Sequence, residues 1–190
     1  AVLCRFEHIV RISGDCPLID PGVVDRVVRF YLDHIDQFEY VNNISPRTFP
    51  SGQEVEVFSF RSLATAHRLA TKMYQREHVT PYFVENPQTF RTGGVTYAQD
   101  YSWHRWTVDR ENDFELVRGV LEALCPSNPY FTMEDVVDFL KQRTDLAGIN
   151  RDYQRNEGFF RSLEKEGLSA EQTARILYNV LGRQEVRYEK

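Results

Sequence analysis

Residues 10–21 read VRISGDCPLIDP, which spells out a strand, a turn and a helix start in one short span. The apolar residues Ile9, Val10 and Ile12 stop at Ser13-Gly14, one carboxylate follows at Asp15, and the chain turns through Pro17 to reach Asp20-Pro21. An apolar run closed by glycine reads as a buried strand whose tip hands Asp15 to solvent. In open α/β sheets ligands gather beyond the carboxyl ends of strands, where an aspartate can hold a metal ion or a substrate hydroxyl. The alternative for Asp15 is an aspartate that only satisfies turn amides.

The neighbouring sequence extends this unit. Val23, Val24, Val27, Val28 and Tyr31 recur at helical spacing and predict a helix over 22–32 with Asp20 as its cap. Residues 39–42 form a second short apolar run, and 43–52, with Pro46, Pro50 and Gly52, read as a loop. In 54–60, Val55 and Val57 alternate with Glu54 and Glu56, the period-two pattern of a strand with one wet face. Leu63, Ala66, Leu69, Ala70 and Met73 predict a single helix over 61–74, and 75–85 reads as a short helix running into a loop. Strands are expected at 90–97 and 103–108, and helices at 110–124 and 133–143, the latter capped by Thr132 with Asp135 in capping-box spacing. Beyond 150 the chain is polar until a helix at 169–181, so the organisation expected is an α/β portion over 1–150 and a helical tail over 151–190.

Composition sets bounds on function. The chain has 190 residues, 42% of them hydrophobic and 13% aromatic, enough for one domain with a real core. A formal net charge of −5, with scattered Lys and Arg, argues against nucleic acid as a partner. Cys4, Cys16 and Cys125 are odd in number and lack metal-ligand spacing, which argues against a disulfide framework or structural zinc and fits a reducing cytoplasm. No apolar run approaches a membrane span. The chain begins at Ala1, a few residues before a core strand, and so reads as a piece of something longer.

Several groups could carry chemistry. Asp109 follows the run 105–108 and precedes the helix, so it stands at a strand-to-helix junction like Asp15; it is either a partner of Asp15 in holding magnesium or an N-cap. Glu54 and Glu56 share one strand face, suited to sugar hydroxyls or a metal, or simply solvated. Arg76-Glu77-His78 concentrates a cation, an acid and an imidazole, which either grips a carboxylate or phosphate or makes a surface ion pair at a helix end. There is no GxSxG, no HExxH, and Cys16, next to Pro17, reads as structural.

Taken in order, SGDCPLIDP, FPSGQEVEVFSF, REHVTPYF, HRWTVDRENDFELV and INRDYQRNEGF resemble the cytidylyltransferases of the spore-coat polysaccharide biosynthesis protein F type, relatives of the acylneuraminate and Kdo cytidylyltransferases. The resemblance runs from about Ile9 to Leu163. It implies an α/β fold of the nucleotide-diphospho-sugar transferase type, a Rossmann-like α/β/α sandwich with a mixed sheet. It implies transfer of CMP from CTP to an acidic sugar, giving a CMP-sugar for surface or spore-coat polysaccharide. Magnesium would be held by the residues matching the two family aspartates, Asp15 and Asp109. Glu54, Glu56, Arg76 and His78 match the sugar side of the cleft, and Glu77 and Arg105 are expected to bind substrate with them. Relatives of this fold commonly dimerise, so a homodimer is expected. The Gly-, Arg- and Lys-rich loop with which the family opens, and which wraps the nucleotide, has no match here, so the fold is expected to be N-terminally truncated. A non-catalytic sugar-binding or dimerisation module is the alternative to an enzyme.

Overall fold

The structure, a computed structural model, describes residues 6–181. The described residues contain one four-stranded sheet, built from β1 (His8–Arg11), β2 (Tyr40–Asn42), β3 (Glu56–Ser59) and β4 (Thr92–Gly94) in the order β1-β3-β2-β4. β3 runs antiparallel to both neighbours, with Arg11 opposite Glu56 on one side and Val41 opposite Val57 on the other, while β2 and β4 are parallel. The sheet is therefore mixed.

Alternation along the strands divides the core. Val41, Val55 and Val57 face one side, where they join Val23, Val27 and Tyr31 of α1 (Pro21–Asp33). That layer is completed by α5 (Glu111–Leu124) and α6 (Met133–Gln142), through Leu116, Val117, Val136 and Leu140. Tyr40 and Phe58 face the other side and pack with Ala66 of α2 (Phe60–Leu69), Phe83 of α4 (Pro81–Glu85) and Phe90. Helices on both faces of a mixed sheet give the α/β/α arrangement. The short α3 (Met73–His78) precedes α4, and α7 (Thr144–Ala147) follows α6. α8 (Glu157–Glu164) and α9 (Ala170–Leu181) then pack on α3 and α4 around Tyr74, Phe159, Leu163, Ile176 and Leu177.

Asp20 shows how local sequence sets this assembly. Its carboxylate accepts from the Gly22 amide at 2.6 Å, capping α1, and from the Met133 amide at 2.7 Å at the start of α6. One buried side chain thus satisfies free amides at two helix starts, which fixes the helices relative to each other.

Six expectations need correction. β1 is an edge strand with Val10 42% exposed, not a buried one. The 54–60 strand has no wet face at Glu56, which is only 2% exposed, because Arg11 and the Tyr40 hydroxyl satisfy its carboxylate. The single helix expected over 61–74 breaks at Ala70, whose backbone is extended; continuing it would have buried Met73, whereas Met73 is exposed and Tyr74 fully buried. The strand expected at 103–108 is an extended segment that makes one bridge, Ser51 to Arg105, and otherwise bonds to loops, and the one at 90–97 shrinks to β4. The polar stretch after 150 conceals α8, whose buried face consists of Phe159, Ser162 and Leu163 alone.

Candidate functional site

The carboxyl end of β1 and the extended segment 105–109 meet above one sheet edge, tied by the Val108 amide bonding to the Asp15 carbonyl at 2.9 Å. They open onto a cleft of about 690 Å³ whose far wall comes from α8 and α9 through Gly158, Phe159, Arg161 and Val180. Asp15 and Asp109 both line it. Neither is used as the bland alternative required. The bond found at the Asp15 side chain is a weak one from the Cys16 thiol at 3.5 Å, and the α5 capping role falls to Asp113, which accepts from the amides of Asp109 and Arg110 at 3.1 Å each.

The floor of the cleft is set by a close backbone approach. Gly52 adopts φ +101°, and a Cβ built there would lie 2.9 Å from the Trp106 carbonyl carbon, so only glycine lets the 50–52 turn seat against segment 105–107. Ser51 then bonds that segment from both sides, through its amide to the His104 carbonyl at 3.0 Å and its carbonyl to the Trp106 amide at 2.7 Å.

Arg105 lies below the aspartates, with its guanidinium only 8% exposed. It donates to both oxygens of the fully buried Asp113, at 3.0 and 2.9 Å, and to Asp109 at 2.6 Å. Asn150 supports the pair by donating to Asp113 at 2.7 Å and to the Arg105 carbonyl at 3.0 Å. Burial alone would raise the Asp113 carboxyl, but the bonds from Arg105, Asn150 and the Asp109 amide outweigh it and hold the group below its ordinary value. Asp113 and Asp109 share the Arg105 charge, so Asp109 is partly neutralised while its side chain stays half exposed to a ligand.

The carboxylate cluster is felt at Cys16. Burial first, and then the charges of Glu54, Asp15 and Asp109, push its thiol far above the ordinary cysteine value, leaving an inert side chain. Glu54 pairs with Arg47 at 2.9 Å and accepts from the Gly52 amide at 2.6 Å; Glu56 pairs with Arg11 and with the Tyr40 hydroxyl at 2.5 Å. All of these charged groups line the cleft.

Of the Arg76-Glu77-His78 cluster, the cleft receives only His78. Arg76 reaches away to the His67 carbonyl at 3.3 Å, and Glu77 accepts from Ser162 at 2.9 Å. Arg11, Arg47, Arg110 and Arg161 line the cleft without having been singled out from the sequence. Arg110 and Arg161 share one carboxylate, Glu157, at 2.6 and 2.9 Å, and Arg110 also lies 4.7 Å over the Tyr153 ring. The one available signal was Arg11, a cation at the end of an apolar run.

Comparison with known proteins identifies the family. The cytidylyltransferase family model matches residues 3–179. The chain is 34% identical over 149 residues to the uncharacterised protein MJ1063 of Methanocaldococcus jannaschii, covering 76% of this chain and 57% of that protein. It is 24% identical over 142 residues to the spore coat polysaccharide biosynthesis protein SpsF of Bacillus subtilis, covering 73% of this chain and 57% of SpsF. The structure of a cytidylyltransferase from Leptospira borgpetersenii superposes with a TM-score of 0.74 at 27% identity, covering 81% of this chain and 63% of that one. The chain thus spans little more than half the length of the curated relatives it matches. With the mixed α/β/α fold and a family match over nearly all of its length, this chain belongs to the cytidylyltransferase family.

Proposed function

We propose that this chain forms the metal- and acceptor-binding part of an enzyme that transfers CMP from CTP to an acidic sugar with release of pyrophosphate. The observation that carries the reading is the meeting of Asp15 and Asp109 on one cleft, beside the buried Arg105, whose charge Asp109 shares with Asp113. The donor set fits magnesium. Both donors are carboxylate oxygens, which suits an ion that keeps its waters and takes one or two carboxylates plus substrate phosphates. When bound, magnesium supplies positive charge beside the α-phosphate and the departing pyrophosphate. Arg110 and Arg161, sharing a single carboxylate, leave a local positive excess suited to an anionic group of the substrate. The similar SpsF of Bacillus subtilis is a spore coat polysaccharide biosynthesis protein, which supports a sugar destined for a surface polysaccharide.

Calorimetric titration with CTP and magnesium tests this. Binding that requires magnesium is expected, weakened at least about tenfold by Asp15→Asn and by Asp109→Asn. Absence of binding by the folded chain would reduce it to an acceptor-binding or structural module.

A further inference from the structure

His78 stands on the cleft wall, and its Nε2 lies 3.0 Å from Oγ of Ser162, a buried serine on α8. The same hydroxyl oxygen lies 2.9 Å from a Glu77 carboxylate oxygen and 2.9 Å from the Gly158 carbonyl oxygen. A serine hydroxyl has one proton to give and two lone pairs to receive with. The carboxylate and the carbonyl can only accept, so the single proton goes to one of them. Towards His78, Ser162 therefore acts as an acceptor, and Nε2 must carry the ring proton. In a neutral imidazole the other nitrogen, Nδ1, is then a bare acceptor.

The surroundings keep the ring neutral and in place. Burial lowers the His78 pKa and Arg11 acts in the same direction, while Glu77 opposes them; the result lies below the ordinary histidine value. Phe159 meets the ring edge-on, with centroids 5.0 Å apart and planes at 85°. The polarity is the reverse of a serine nucleophile and its base, since here the serine proton points away from the imidazole.

We propose that Ser162 is a positioning residue that fixes His78 as the Nε2–H tautomer, so that Nδ1 offers an acceptor to a hydroxyl of the ligand held in the cleft. The identity of that hydroxyl rests on the transfer reading above. As the acceptor sugar's oxygen bonds to the α-phosphorus of CTP and the bond from that phosphorus to pyrophosphate breaks, the hydroxyl proton passes to Nδ1, and the imidazolium later returns it to water. α8, though far from His78 in sequence, thus sets the chemistry of a residue on α3.

Long-range proton–nitrogen correlation spectra of the nitrogen-15 histidine-labelled chain test the assignment directly, with the His78 signals identified by their loss in His78→Gln. The Nε2–H pattern is expected in the unmodified chain at neutral pH, and a mixture of tautomers in Ser162→Ala. An Nδ1–H pattern in the unmodified chain, or an unchanged tautomer in Ser162→Ala, overturns the proposal. In CMP transfer assays, Ser162→Ala is expected to lower kcat by about tenfold with little change in KM, as befits partial loss of acid–base assistance. His78→Asn and His78→Gln, neither of which can take up a proton, are both expected to lower kcat further than Ser162→Ala does, and transfer by either variant at the unmodified rate overturns the Nδ1 role. If the Nε2–H pattern and its loss in Ser162→Ala are seen but no CMP is transferred, the transfer reading fails and the positioning by Ser162 stands.

Discussion

Replacing Asp113 with alanine is expected to cost about 4 kcal/mol, because it leaves the Arg105 guanidinium buried without its principal partner. The variant also loses the carboxylate that satisfies the amides of Asp109 and Arg110 at the start of α5. For a chain of this size the melting temperature should fall by roughly 10 °C. The dependence on pH has a definite sign. The folded-state pKa of Asp113 lies below the ordinary aspartate value of 3.8, so its ionised form contributes stability that is fully present above that value. That contribution disappears as pH falls from 3.8 towards the folded pKa. Thermal melts of the two proteins should therefore converge as the pH drops below about 4. A gap that stays constant down to pH 2 would show that Asp113 does not act through its charge.

Gly52→Ala is the second large effect. Backbone at φ +101° strains any residue with a Cβ, and the added carbon would meet the Trp106 carbonyl carbon at 2.9 Å and its oxygen at 3.0 Å. These atoms belong to the backbone, which cannot rotate aside as a side chain would. Destabilisation of about 3 kcal/mol is expected from strain and displacement together. The displaced segment carries Arg105 and Asp109, so CTP–magnesium binding should weaken even at temperatures where the variant is folded. A denaturation midpoint unchanged by Gly52→Ala would mean that the 50–52 turn moves freely off the segment it touches.

The parts of the fold legible in the sequence were those specified by neighbours along the chain. α1, α5 and α6 follow their apolar spacing, and Asp20 and Thr132 cap as their positions indicate. Asp15 and Asp109 were visible as carboxylates beyond apolar runs, and both face the cleft. What could not be read depends on partners distant in sequence. Glu56 alternates with valines like a solvated residue, and its burial is made tolerable by Arg11, across the β1–β3 pairing, and by the Tyr40 hydroxyl on β2. The break after Ala70 exists because Tyr74 must reach Glu85, to which its hydroxyl donates at 2.7 Å, and the Phe159 ring. α8 stayed hidden because its buried face is so narrow that a polar stretch suffices to build it.

The far wall of the cleft is anchored by an apolar cluster of its own, formed by Tyr74, Phe159, Leu163, Ile176 and Leu177, separate from the larger core around α1, α5 and α6. A small cluster opens at a lower free energy than a large one, so α8 and α9 are expected to swing away while the sheet remains intact. Amide hydrogen exchange should record this as two rates, with α8 amides exchanging well ahead of those in α1 and β3, and a single shared rate would contradict it. Ligand exchange would then be timed by how often that wall detaches, making residence in the cleft a kinetic property of the helices that enclose it.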